Sequence, residues 1–162
     1  MRHEGAFCPM RRRAIVECTQ VTETNVDVTA IPFNRLLGLR ANGPILTLPA
    51  DPNYQNHLGT VHAGAQFALA EAASGQWLVD RFGAQAADNL AVLRRADVKF
   101  RRPASGELTA QADAAPDQAE RFLDTLSRRG RAAIEIAVRL LDAEGSVTLE
   151  ATFEWYAQRI RG

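Results

Sequence analysis

From residue 96 onward the chain alternates apolar and polar positions with a period of two. Ala96, Val98 and Phe100 alternate with Asp97, Lys99 and Arg101, and Leu108, Ala110 and Ala112 with Thr109, Gln111 and Asp113. Ile134, Ile136, Val138 and Leu140 alternate with Ala133, Glu135, Ala137 and Arg139. Val147, Leu149, Ala151, Phe153 and Trp155 alternate with Thr148, Glu150, Thr152, Glu154 and Tyr156. Successive side chains of a strand point to opposite faces, so the pattern predicts four strands, each with one buried face. Ala143-Glu144-Gly145 predicts a hairpin turn between the last two, and Pro103-Ala104-Ser105-Gly106 a turn between the first two.

Upstream the period is helical. A long helix is expected from about Ala63 to Phe82, with Gly83 as its stop. Its first three turns are dominated by Ala63, Gly64, Ala65, Ala68, Ala70, Ala72, Ala73, Ser74 and Gly75. A sheet wrapped tightly around the helix explains that composition. The plain alternative is that alanine is the best helix former. Ile45 to Leu48 reads as a short strand ended by Pro49. Residues 31–38 read as a short helix with Pro32 in its first turn and Gly38 closing it. The order is strand, long helix, then four antiparallel strands: an α+β layer of one helix on one sheet. Residues 1–29 are poorly patterned and are expected to form an N-terminal arm or helix, partly disordered. Residues 30–162 are expected to form the folded domain.

At 162 residues the chain is long enough for one domain with a proper core. Lys+Arg and Asp+Glu balance at 19 each, so no overall charge recruits nucleic acid or an acidic membrane. Lys99 is the sole lysine; the other basic residues are arginine. The two cysteines, Cys8 and Cys18, do not make a disulfide framework, and no Cys/His spacing matches a metal site. Met1 to Arg13 lacks an apolar core, and no long apolar run follows. Neither a secretory signal nor a transmembrane helix is expected, which leaves the cytoplasm.

The candidate chemistry lies in Asn56-His57-Leu58-Gly59-Thr60-Val61-His62-Ala63-Gly64 and in Glu71 beyond it. A glycine-punctuated polar turn opens the long helix, and a helix start offers unpaired backbone N–H groups to an anion or a polarised carbonyl. Glu71 adds one carboxylate among very small residues. Donors plus a carboxylate are the parts of acyl chemistry. The plain alternative is a helix cap and a surface glutamate.

Five blocks together resemble a hotdog-fold acyl-CoA thioesterase of the PaaI-like group, specifically its uncharacterised thioesterase-like subgroup. They are Pro32-Phe33-Asn34-Arg35-Leu36-Leu37-Gly38, Asn56 through Gly75, Val98-Lys99-Phe100-Arg101-Arg102-Pro103, Gly130-Arg131-Ala132 and Thr152-Phe153-Glu154-Trp155. The resemblance covers residues 31–157. It implies a long central helix wrapped by a five- to six-stranded antiparallel sheet. It implies hydrolysis of an acyl-CoA to a free acid and coenzyme A, with coenzyme A part of the substrate and no separate cofactor or metal. Glu71 would be the base or nucleophile, and the Ala63 backbone N–H, beside His62 and Gly64, would polarise the carbonyl. Asn56 would position the carboxylate, water or thioester. Family sites lie between subunits, so a homodimer, or a homotetramer of such dimers, is expected, with Glu71 and the Ala63 N–H coming from different chains. The family's first glycine is Ala63 here. Gly75 occupies the place where some relatives carry a Ser or Thr, and its neighbour Ser74 is expected to touch the substrate.

Each residue also has an ordinary reading. His62 shapes the turn and bonds backbone. Asn56 forms an Asx turn, and His57 is a loop residue. Arg101, Arg102 and Arg131 are expected to hold the substrate's phosphates, together with Arg128 and Arg129; singly, each also fits a solvated sheet edge. Phe153 and Trp155 read as core. Two other functions compete: a non-hydrolytic module that binds acyl-CoA or acyl-carrier thioesters, and a hotdog dehydratase using His62 and Glu71.

Overall fold

A computed structural model describes residues 26–86 and 88–160. The cysteines, Arg11–Arg13 and most of the expected N-terminal arm lie outside the described residues. Val28, which was expected in that arm, is buried in the core, and the Asn34 side-chain amide donates to its carbonyl at 2.9 Å.

The elements run α1 (Pro32–Leu36), β1 (Arg40–Asn42), β2 (Ile45–Leu48), α2 (Ala63–Ala86), β3 (Asn89–Phe100), β4 (Leu108–Asp113), α3 (Pro116–Arg129), β5 (Arg131–Leu141) and β6 (Val147–Arg159). Short 3-10 turns at Val28–Ala30 and Pro52–Tyr54 precede α1 and α2 respectively. The six strands form one sheet in the order β1-β2-β4-β5-β6-β3, and every neighbouring pair is antiparallel. This is an α+β hotdog fold, a long helix held in the curve of an antiparallel sheet.

α2 packs against β2, β4, β5, β3 and β6. Its middle turns are buried over most of their surface: Ala68, Leu69, Ala70, Ala72, Ala73 and Ser74 are each at most 5% exposed, while Phe67, Glu71 and Gly75 form a half-buried line. Small side chains let strands close on the helix from several directions. Phe67 meets Phe153 of β6 edge to face, with ring centroids 5.7 Å apart. A Cβ on Gly75 would stand 3.5 Å from Trp155 Cζ2, so helix and sheet are close there.

Three expectations need correction. Gly83 does not stop α2, which continues to Ala86. A terminal glycine works by adopting positive φ; Gly83 does not, and the alanines after it favour helix. The 103–106 turn does not join a hairpin. β3 pairs with β6 and β4 with β2 and β5, so these two strands lie far apart in the sheet. Finally, there is a third helix, where only a strand pattern was expected. α3 starts on Pro116, buries Ala119, Phe122 and Leu126, carries Asp117–Arg121 and Asp124–Arg128 ion pairs, and ends on Gly130 at φ 67°. Phe122 stacks on Phe82 of α2 at 5.1 Å between centroids, so α3 shares the inner face of the sheet. The Asp142–Ser146 hairpin is as expected, with Gly145 at φ 75°.

β3 is a long edge strand with an uncovered inner face. Ala96, Val98 and Phe100 pair with Phe153, Ala151 and Leu149, whose side chains face α2. Yet Ala96 is exposed, Val98 half-buried and Phe100 47% exposed. The alternation is there, but no element among the described residues covers this end.

Candidate functional site

The turn before α2 is held by its own side chains. Asn56 Oδ1 accepts from the backbone N–H of Leu58 at 2.9 Å and of Thr60 at 3.2 Å, and Nδ2 donates to Thr60 Oγ1 at 3.0 Å. The Asn56 N–H donates to Thr60 O at 2.8 Å, and Gly59 supplies the positive φ of 73°. Gln55 and Val61 bridge across the base of the loop, and the Val61 N–H donates to Ala104 O at 2.8 Å. Asn56 is therefore the Asx-turn former of its ordinary reading. Its side chain closes the loop.

His62 caps the helix. Its carbonyl accepts from the N–H of Ala65 and Gln66 at 3.0 and 3.1 Å, and its Nδ1 accepts from the Gly64 N–H at 2.9 Å. A capping acceptor on the second helical N–H relieves one of the unpaired donors. An Nδ1 that accepts carries no proton, so in neutral imidazole the hydrogen sits on Nε2. Glycine fits at 64 because a Cβ there would meet His62 Nδ1 at 3.1 Å. The Ala63 N–H, between the two, has no acceptor among the described residues. It is an exposed donor at a helix start, with the partial positive charge that position carries.

Glu71 lies two turns further on and is half-buried. Ala70 and Ala72 flank it; Phe67 and Gly75 lie one turn before and after. No cation pairs with it among the described residues. Burial pushes its carboxyl above the ordinary glutamate value, because desolvation disfavours the charged form. Ser74, on the next turn, is fully buried. Its Oγ donates to Glu71 O at 2.7 Å and accepts from Trp155 Nε1 at 2.9 Å. A hydroxyl so enclosed and engaged does not offer the surface contact with substrate expected of it.

The arginines divide. Arg101 donates to Glu150, and with Arg102 it lies in the turn that touches the Asn56 loop through Ala104. Arg131 opens β5 at the opposite end of the sheet. On β6, Phe100 stands beside Leu149 and Arg131 beside Gln158, about 30 Å apart at the usual strand rise. One protomer cannot bring all three into one cluster. Arg131 instead lines a groove of about 1030 Å³ with Arg128, Arg129, Gly130 and Arg159, and no acidic residue lines it among the described residues. Among the described residues there is no group of three or more His, Cys, Asp or Glu placed to hold a metal ion. No helix there is long and apolar enough to cross a membrane.

The sequence reading missed two residues beside the site. Gln66 is 4% exposed; its Nε2 donates to Val61 O at 3.0 Å while Oε1 has no partner. A polar side chain in a run of alanines was the available signal. Trp155 was read as core alone, and its bond to Ser74 could not be inferred from alternation.

Residues 34–157 match the profile of a domain of unknown function, DUF4442. The chain belongs to the DUF4442 family. Solved structures resemble this DUF4442 protein over most of its length. A Pseudomonas aeruginosa protein of unknown function, described as a probable thioesterase, is 26% identical with a TM-score of 0.73, covering 82% of this chain and 91% of its own. A Chlorobaculum tepidum protein of unknown function is 19% identical at TM-score 0.71, covering 81% and 88%. A Bacillus halodurans protein solved with CoA is 19% identical at TM-score 0.60, covering 77% and 74%. No curated protein matches the DUF4442 chain.

Glu71 has a folded-state pKa raised above its unfolded value. Its protonated form therefore favours the fold, and that contribution fades as pH rises through the raised pKa. Glu71→Gln should melt at the wild-type temperature in acid and above it at neutral pH. Thermal denaturation across pH 4 to 8 checks this, and a Gln variant less stable than wild type at neutral pH would contradict it.

Proposed function

We propose that the protein hydrolyses an acyl-CoA thioester to a free acid and coenzyme A. The observation that carries this reading is the setting of Glu71: a desolvated carboxylate that pairs with no cation among the described residues, on a helix that begins with an N–H donor unengaged among them. Membership of a thioesterase-like family and likeness to a protein solved with CoA support the substrate class. As base, Glu71 takes a proton from water, whose oxygen attacks the thioester carbon. The Ala63 N–H donates to the oxyanion that forms. Collapse breaks the C–S bond, and the leaving sulfur takes the proton. As nucleophile, Glu71 would itself attack the thioester carbon, the C–S bond would break to expel the coenzyme A thiolate and leave a mixed anhydride, and water would then cleave the anhydride to the free acid and the Glu71 carboxylate. His62 and Gly64 shape the donor; Asn56 holds the loop. Coenzyme A enters as part of the substrate, and the reading invokes no resident cofactor or metal.

A single chain is not enough. Eight residues of helix separate Ala63 from Glu71, a rise of about 12 Å. That span is too long for both to act on one thioester. The reading therefore completes each site with Glu71 of the partner subunit. The edge of β3 is the proposed seam. Leu90 is 61% and Val92 43% exposed on its outer face, and its inner face is open at Ala96 and Phe100. An edge strand with exposed apolar residues invites another strand, and a second copy of β3 would cover them. Two such dimers could join as a tetramer without altering the sites.

Release of free thiol from short, medium, long and aromatic acyl-CoAs is the primary test. Glu71→Gln should lower kcat at least about a hundredfold on the best substrate, and wild-type activity should rise with pH through the raised carboxyl pKa. A Gln variant with the wild-type rate would leave a thioester-binding module as the better reading. Light scattering at micromolar concentration should give a dimer or tetramer; an active monomer refutes the shared site. For the nucleotide end, the Arg131 groove is the better candidate, because Arg101 is already paired with Glu150. Arg131→Ala should raise KM for acyl-CoA more than it lowers kcat, and leave a truncated acyl-pantetheine thioester unaffected. Equal effects on both substrates would exclude a phosphate contact.

A further inference from the structure

The indole of Trp155 reaches from β6 to the helix turn that carries Glu71. Its Nε1–H donates to Ser74 Oγ at 2.9 Å, and Ser74 Oγ donates to Glu71 O at 2.7 Å. An indole N–H can only donate, so the single Ser74 hydrogen is left for the carbonyl. The pair of bonds thus has one direction and ends on the peptide unit that bears the carboxylate. Ser74 is fully buried, and water does not compete for either bond.

The same ring flanks the helix one turn beyond Glu71. A Cβ at Gly75 would lie 3.5 Å from Trp155 Cζ2 and 3.6 Å from Cη2. Residues four apart share a helix face. The edge of the indole therefore lies beside the face from which Glu71 projects, as an apolar wall.

Packing alone does not require this arrangement. Ser74 follows Ala72 and Ala73, which are equally buried, and alanine is the better helix former. A mid-helix serine that bonds back to a carbonyl slightly weakens the helix. A buried hydroxyl also costs free energy unless it is hydrogen-bonded. Phenylalanine, as at 153, would fill a core position on β6 without a donor to satisfy. The two polar groups are costly singly and are satisfied by each other.

We propose that Trp155 and Ser74 are positioning residues for Glu71, locking its helix turn to the sheet so that the carboxylate meets the thioester at a fixed distance. This rests on the reading of Glu71 as base or nucleophile. Catalytic groups need placement within about 0.5 Å, and a loosened turn loses that placement without losing the pocket.

The test is steady-state kinetics on the full chain with its best acyl-CoA, using Ser74→Ala and Trp155→Phe, each alone and combined with Glu71→Gln, with melting temperatures alongside. Each single variant should lower kcat about tenfold or more, within the range that a misplaced group produces, and leave KM within about twofold. In the Glu71→Gln background neither should lower the rate further, because the group they act through is gone. Wild-type kcat in Ser74→Ala and Trp155→Phe, with Glu71→Gln impaired, would overturn the positioning role and leave the Glu71 reading intact. An undiminished loss in the Glu71→Gln background would also overturn it. Wild-type turnover by Glu71→Gln would instead sink the functional reading and this inference with it. Should Trp155→Phe fail to fold, Ser74→Ala decides alone.

Discussion

How closely the sheet can approach α2 governs the rest of the molecule. Ala68, Ala70, Ala72, Ala73 and Gly75 present almost no side chain, and strands close on the helix from several sides. Phe153 and Trp155 of β6 then reach the helix directly, Phe153 against Phe67 and Trp155 against Gly75. Larger residues at these places would hold the sheet away, and the helix would lie on it as on a flat surface, with one side in water. Interiors are packed as densely as organic crystals, so there is little slack to absorb such a change.

The wrapped helix makes Glu71 unusual. An acidic side chain on an ordinary amphipathic helix faces solvent. Here the same curvature that buries the alanines takes part of the water from the carboxylate as well, with no cation in return among the described residues. The start of the helix is prepared in the opposite sense. His62 and Asn56 satisfy the backbone around it with bonds of ordinary length, and the Ala63 N–H is the donor left over. One end of the element is short of an acceptor, and its middle is short of a donor.

Much of this was legible in the residues. Alternation located β4, β5 and β6 because each has one face in the core, and the small-residue run located α2 and hinted at its enclosure. The ordinary readings of Asn56 and His62 were right because Asx turns and helix caps are local, set by neighbours two to four residues away. What failed was non-local or competitive. The 103–106 segment looks like a hairpin turn because nothing in it records that β3 crosses to pair with β6. Gly83 resembles a stop, but the alanines after it prevail. α3 is marked by Pro116, spaced apolar residues and Gly130, but its three buried residues stand among charged and polar ones that suit a loop between strands equally well. The division of the arginines could not be read at all, since register alone puts Arg101 and Arg131 at opposite ends of the sheet.

The placement of β3 also dictates the order in which the chain can fold. Asn89 pairs with Arg159, so the strand's partner among the described residues is β6, which is made well after it. β5 and β6 form a hairpin and can close early. β3 must wait for the segment between Phe100 and its partner Leu149, nearly fifty residues, to close, a step that long-range pairing makes slow. As the chain leaves the ribosome, β3 is present with neither β6 nor a second copy beside it, and its apolar face is open throughout. Arg94, Arg95, Asp97, Lys99 and Arg101 are interleaved along the same stretch. Charges placed so discourage wrong strand partners during that interval, while the register with β6 still lets the right one form.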